Sequence, residues 1–109
     1  MSTLIKVAFQ PKYAEAAQTT QFTATAKTVV DKFTATNVSA SNQVFKASLV
    51  QSGQSAASAP MTVTVTIAPG KTYQFPEFAG HYMEPGDFIS TLATTVSTIG
   101  MRSSVREIT

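Results

Sequence analysis

Apolar and polar residues alternate with a period of two along most of this chain, which is the pattern of half-buried β-strands. The clearest example runs from Met61 to Ile67, where four apolar residues alternate with three threonines. We expect strands wherever the pattern recurs, in segments 5–9, 22–26, 29–36, 45–49, 71–75, 88–96, 99–101 and 105–108.

Residues that favour turns separate these segments at intervals of about 8–12 residues. The turn segments are Asn37–Asn42, Ala68–Gly70 and Glu84–Asp87, whose Asn, Ser, Pro and Gly residues favour tight turns. Segment 51–60 is small and polar, which predicts an exposed loop. No helical pattern exceeds two turns. The sequence therefore predicts an all-β fold: an antiparallel β-sandwich of immunoglobulin-like or jelly-roll type, with seven to nine short strands.

The N-terminal segment is set apart by Pro11, which we expect to end the first strand because proline cannot donate to a sheet ladder. Residues 11–20 then form a linker, with at most one helical turn over Tyr13–Gln18. The predicted organisation is an N-terminal strand and linker arm over residues 1–20, followed by a β-sandwich body over 21–109. The first strand either joins its own sandwich or adds to a sheet edge of a neighbouring molecule.

Composition narrows the possible partners. Charged residues are only 13% of the chain, the net charge is +2, and 17 threonines and 11 serines supply much of the polar surface. The lysines are scattered, whereas a nucleic-acid interface needs a clustered basic face, so we expect no direct nucleic-acid contact. No apolar run approaches the roughly 20 residues that span a bilayer, and the start lacks a signal-peptide pattern, so we expect no membrane contact.

Candidate chemistry is sparse. His81 is the only histidine, and although Asp87 and Ser90 follow it, no nucleophile-elbow pattern frames a serine. The chain has no cysteine, and its carboxylates show no metal-ligand spacing. Glu84 and Asp87 flank a Pro-Gly turn, where an acidic side chain accepts backbone N–H groups. We therefore expect no enzyme, no catalytic residue, no metal and no cofactor.

Aromatic residues cluster in segment 72–82 and provide one half of a candidate interface. They either plug one end of the sandwich or anchor a partner, since aromatic side chains give large contact area at low entropic cost. A carbohydrate-binding module would rest on the same side chains. Together with the apolar positions of the first strand, the candidate interface residues are Ile5, Val7, Phe9, Tyr73, Phe75, Phe78 and Tyr82.

Several turn-and-strand motifs between residues 29 and 109 are shared with one group of proteins. These motifs are Thr36-Asn37, Ile67–Gly70, Pro76–Gly80, Pro85–Ile89 and the ending Arg106–Thr109. In them the chain resembles small structural proteins of tailed bacteriophage virions. It departs from that pattern at Ser104-Val105, where a glycine more often precedes the ending.

The resemblance implies a non-enzymatic virion component made in the bacterial cytoplasm. The function it favours most is a capsid decoration (cement) protein that binds the head lattice in many copies. Its partners would be the major capsid protein or other virion proteins, and copies of itself. A neck or tail structural protein is the alternative within the same group.

Overall fold

The computed structural model describes residues 3–108 as two antiparallel β-sheets packed face to face, which confirms the predicted sandwich. Within these residues nine strands and one short 3₁₀ turn, Ala56–Ser58, are present. The strands are β1 (Thr3–Tyr13), β2 (Thr19–Thr23), β3 (Lys27–Asn37), β4 (Gln43–Val50), β5 (Met61–Ile67), β6 (Thr72–Tyr73), β7 (Tyr82–Met83), β8 (Phe88–Ala93) and β9 (Ile99–Ile108). No helix in this part of the chain is long and apolar enough to cross a membrane.

The strand order is that of a jelly roll. The five-stranded sheet has the order β1-β9-β3, with β6 and β7 both pairing along the far side of β3, and the four-stranded sheet has the order β2-β8-β4-β5. Strands β6 and β7 act as one interrupted edge strand. The antiparallel pairs are then nested: β1 pairs with β9, β2 with β8, β3 with β6 and β7, and β4 with β5. This nesting is the double Greek key of a jelly roll, and it differs from the immunoglobulin order.

The core between the sheets is built around aromatic rings. Phe33 of β3 lies at its centre, with Phe9 5.6 Å away in an edge-to-face arrangement and Phe75 4.8 Å away. Phe45 and Phe78 complete the cluster at 6.3 and 5.7 Å from Phe33. Because these side chains come from four separate segments, the cluster ties both sheets and the β6–β7 loop into one core.

The first strand differs from its prediction. Strand β1 continues through Pro11 to Tyr13, and β2 begins at Thr19, so the linker over 11–20 and the helical turn over 13–18 were wrong. Pro11 is tolerated because β1 is an edge strand and its register with β9 shifts between Phe9 and Lys12. The strand also pairs with β9 of its own chain from Thr3 onward, which is the in-sandwich alternative.

Other boundaries also differ. The strand predicted over 22–26 lies earlier, at Thr19–Thr23. Segments 99–101 and 105–108 form one continuous strand, because β9 lies between β1 and β3 and has ladder partners on both sides. Strand β8 ends at Ala93, three residues earlier than the alternation suggested. Segment 71–75 contributes only Thr72–Tyr73 as strand. Beyond it Phe75 adopts a left-handed φ of 44°, which turns its ring into the core.

The predicted turns are confirmed. In the first, the buried Asn37 accepts the Ser39 N–H at 2.8 Å and donates through Nδ2 to the carbonyls of Ser41 and Ile67, both at 2.7 Å. In the 84–87 turn Gly86 has a φ of +95°, and an added Cβ would lie 2.7 Å from the Ser52 hydroxyl. The first turn therefore depends on the side-chain amide of Asn37. The second depends on the backbone freedom of Gly86 and on its lack of a Cβ.

Candidate functional site

Burial divides the seven candidate interface residues. Phe75 and Phe78 are fully buried and Phe9 is 9% exposed, so these three side chains pack in the core and cannot contact a partner in this fold. Tyr73 is half-buried and lies edge-on against Phe75, with ring centroids 4.8 Å apart. For the three phenylalanines the structure matches the packing alternative, not the anchoring one.

Two of the remaining candidates lie in one row on the outer face of the five-stranded sheet. The register places Ile5 opposite Arg106, Arg106 opposite Val29, and Val29 opposite Tyr82. Ile5 is 75% exposed and Tyr82 43% exposed. Arg106 of this row donates to Asp31, which lies at the register shift of β3, at 2.6 Å. The outer face thus has Ile5 exposed at one edge and Tyr82 exposed at the other. The Arg106–Asp31 ion pair lies between them.

The same outer face has a shallow hollow at its other end. Tyr13 and Thr36 lie on either side of Gly100 in the register, and all three line a depression of about 480 Å³. Tyr13 and Val38 at its rim are each 54% exposed. Sequence reasoning missed Tyr13 as a surface residue because it assigned segment 13–18 to a linker.

A second cavity of about 560 Å³ lies at the side of the sandwich and includes His81, Tyr82 and Asp87. Its polar groups are held by the local structure. Both Asp87 carboxylate oxygens accept backbone N–H groups, from Ser52 at 2.9 Å and from Glu84 at 3.0 Å, which confirms the predicted role of this acid in the turn.

Ser90 is not part of this side cavity. Its buried hydroxyl donates to the Thr19 carbonyl at 3.1 Å and accepts from Gln18 at 2.7 Å. The serine that lines the cavity with His81 and Asp87 is Ser52, whose backbone N–H is bonded to Asp87. Within residues 3–108 no group of three or more His, Cys, Asp or Glu side chains is placed to hold a metal ion.

Two tyrosines in this region have raised pKa values. The hydrogen bond that Tyr73 donates to Glu77 at 2.6 Å raises the pKa of the Tyr73 hydroxyl. Partial burial, followed by the negative charge of Glu84, raises the pKa of Tyr82. Both phenols are therefore protonated at neutral pH, and they suit recognition by hydrogen bonding and apolar contact.

The edges of the two sheets differ in how they are protected. The β1 edge carries Pro11, Lys6 and Lys12 and has two register shifts. Strand β2 is short and also shifted, and the β6–β7 edge is interrupted. Strand β5 has none of these features: its seven residues pair with β4 without a shift, and it contains no charge, proline or glycine.

The backbone groups that β5 directs away from its neighbour can be identified. Thr94 N–H donates to the Val44 carbonyl at 3.2 Å, so even-numbered residues of β4 face β8 and odd-numbered residues face β5. The outward N–H and C=O groups of β5 are consequently those of Thr62, Thr64 and Thr66. Within the described part of the chain these six groups have no hydrogen-bond partner, and we name them the β5 edge.

Comparison with solved structures finds proteins of similar fold. No protein-family model and no curated protein matches the chain. A solved structure described as "Bacillus endospore appendages form a novel family of disulfide-linked pili" matches with a TM-score of 0.56 and 14% identity. The match covers 97% of this chain and 88% of the other. At this identity the similarity concerns the fold alone.

Proposed function

We propose that this chain is a non-enzymatic structural component of a tailed-phage virion, and within the virion a capsid decoration protein that binds the head lattice in many copies. The proposal combines the motif resemblance in residues 29–109 with one structural observation. That observation is the outer face of the five-stranded sheet, where Ile5, Tyr13 and Tyr82 are exposed on a rigid surface.

This outer face suits repeated, individually weak contacts. Ile5 and Tyr82 lie at the two edges of one row, Val7 occupies an adjacent row, and Tyr13 lies at the far end of β1. A decoration protein contacts a repetitive lattice, so many modest contacts add up through avidity. Aromatic and aliphatic side chains held by strands lose little entropy when they bind.

The fold similarity is compatible with this class of function. The matching structure is described as a pilus protein, and a pilus is a repetitive protein assembly. The disulfide linkage named in that description does not extend to this chain, which contains no cysteine. Contacts between copies of this chain therefore cannot rest on disulfide bonds.

The first test is the genomic neighbourhood of the coding sequence. The proposal predicts genes for a major capsid protein, a portal and tail proteins beside it. A locus that encodes only metabolic enzymes would contradict a virion role. A location among tail genes, with no binding to heads, would favour the neck or tail alternative.

The second test is co-sedimentation with heads assembled from the major capsid protein of the same genome. Ile5→Ser combined with Tyr82→Ser should weaken head binding at least about tenfold, equal to about 1.4 kcal/mol. Val96→Ser is the matched control, because Val96 is 64% exposed but lies in the loop between β8 and β9, at the other end of β9 from Ile5. Equal binding by both variants would contradict an interface on this face.

The carbohydrate-binding alternative now rests on fewer residues. Phe75 and Phe78 are in the core, which leaves Tyr82 at the side cavity as the exposed aromatic platform and Tyr73 half-buried nearby. Glycan-array binding that is lost on Tyr82→Ala would favour this alternative. The absence of such binding, together with head binding, would favour decoration.

A further inference from the structure

The sequence of β5 is nearly symmetric about its central residue. Counting outward from Thr64, the next positions on both sides are valine, Val63 and Val65, and the positions after those are threonine, Thr62 and Thr66. The strand ends are both large and apolar, Met61 and Ile67. If a second copy runs antiparallel to the first, each threonine lies opposite a threonine, each valine opposite a valine, and Met61 opposite Ile67.

The hydrogen-bonding groups have the same symmetry. The outward N–H and C=O groups belong to Thr62, Thr64 and Thr66, which are spaced two residues apart. In an antiparallel pair centred on Thr64, this residue would exchange two bonds with Thr64 of the second copy. Thr62 would exchange two with Thr66, and Thr66 two with Thr62. All six outward groups of each copy would be satisfied, by about six hydrogen bonds in total.

Side-chain packing also favours this arrangement. Met61, Val63 and Val65 face the core but are only half-buried, because no strand lies beyond them in this chain. In an antiparallel pair, opposite residues share a face, so Val63 would pack against Val65 of the second copy on the inner side. The exposed threonines would pair on the outer side. Pairs of β-branched residues and Thr–Thr pairs both stabilise a sheet.

Charge presents little obstacle at this edge. Strand β5 is uncharged, and Lys46, opposite Thr64, is the one charged residue of β4. In the paired arrangement the two Lys46 Cα positions would be three strand spacings apart, roughly 14 Å. This exceeds the Debye length of about 8 Å at physiological ionic strength, so their repulsion is largely screened.

We propose that two copies of this chain pair through the β5 edge, antiparallel and on a two-fold axis at Thr64. The two four-stranded sheets then become one continuous eight-stranded sheet. This inference deepens the proposed function. It rests on that function in one respect, namely that many copies of the chain meet on a particle. The contact uses the same surface on both copies, so it closes at a dimer and builds no filament by itself.

The occupant we favour is a second copy rather than a foreign strand, because a second copy supplies the matching Thr–Val sequence by symmetry. One seven-residue strand pair is smaller than a standard interface. We therefore expect a dissociation constant between about 10 μM and about 1 mM for the free protein.

The experiment uses complementary charges at the two-fold position. Thr64→Lys places two lysines opposite each other, beside both Lys46 residues, and should raise the dissociation constant at least about tenfold. Thr64→Glu should weaken pairing less, because Lys46 lies across from each new carboxylate. Mixing the two variants should restore dimers, since Lys and Glu then meet at the axis. Analytical ultracentrifugation measures all three.

Thr23→Lys is the matched control, because Thr23 is exposed on β2, the opposite edge of the same sheet. It should dimerise like the unmodified chain. Circular dichroism and thermal unfolding establish that each variant is folded, and since Thr64 is exposed we expect all of them to fold.

Three outcomes would overturn the inference: an unmodified protein that is monomeric up to about 1 mM, a Thr64→Lys variant that dimerises normally, or a mixture of variants that restores nothing. None of these outcomes touches the proposed function. Head binding is measured separately, with variants on the outer face of the other sheet.

Discussion

Strands β1 and β5 are both sheet edges, but they end their sheets in opposite ways. The β1 edge is eleven residues long, carries Pro11 and two lysines, and shifts register twice against β9. The β5 edge is seven residues long, uncharged and regular. Proteins protect long edges with bulges, proline and lysine because an open edge pairs with other strands. The contrast suggests that β1 is protected from pairing and β5 is left available for it.

The largest effect we predict concerns whether β1 is part of the folded domain. Removing residues 1–12 should abolish cooperative unfolding, because β9 loses one of its two ladder partners and Phe33 loses its contact with Phe9. Thermal unfolding followed by circular dichroism measures this. A truncated protein that folds normally but no longer binds heads would show that β1 is a detachable arm, and would remove the contrast between the edges.

A smaller effect compares how firmly each edge is attached to the core. Phe9→Ala should destabilise the protein by about 3–4 kcal/mol, because Phe9 is almost fully buried against Phe33. Val65→Ala should cost about 1 kcal/mol, since Val65 is half-buried at the open side. Urea unfolding gives both values. Equal losses of unfolding free energy would mean that the core-facing side chains of β5 are buried as completely as those of β1.

Proline substitutions on β5 test which backbone groups face outward. Val63→Pro should cost about 3 kcal/mol, because it removes an N–H that donates to β4 and clashes within the ladder. Thr64→Pro should cost about 1 kcal/mol or less in the monomer, since the N–H of Thr64 has no intramolecular partner. The reverse order in urea unfolding would show that the outward groups belong to the odd-numbered residues.

The smallest effect comes from the charges near β1, which have no counterpart on β5. The Lys12 ammonium, 2.8 Å from Glu15, lowers the pKa of that carboxyl. A lowered folded pKa stabilises the protein above the unfolded value of about 4.3, and the gain is lost as pH falls through the folded pKa. Glu15→Gln should therefore cost about 0.3 kcal/mol at pH 7, since the pair is surface-exposed, and nothing at about pH 2.

Urea unfolding at both pH values checks this effect. A cost that is equal at neutral and acid pH would indicate a packing role for Glu15. Its Oε1 also accepts from Gln21 at 2.8 Å, so such a role has a defined partner.

The sequence predicted the sandwich because strand alternation and turn chemistry are local properties. Met61–Ile67 and Glu84–Asp87 were identified from neighbouring residues alone, and the structure places a strand and a turn there. The prediction that Pro11 ends the first strand was wrong because the effect of a proline depends on whether its strand is central or at an edge. That distinction is set by β9, about ninety residues away.

The candidate site was harder to predict for the same reason. Phe75 and Phe78 lie among polar and turn-forming residues, yet a left-handed φ at Phe75 and contacts to Phe33 bring them into the core. The row from Ile5 to Tyr82 crosses four strands, so no local pattern reports it. The regularity of β5 was visible in the sequence, but its position at an edge was not.

Residue-resolved amide hydrogen exchange tests the central claim, that the β5 edge is open in the monomer and paired in the dimer. At low protein concentration the amides of Thr62, Thr64 and Thr66 should exchange fast, while those of Val63 and Val65 are protected by β4. At high concentration the three threonine amides should become protected, with no change along β1. Threonine amides that are already protected at low concentration, or that remain fast at high concentration, would contradict the account.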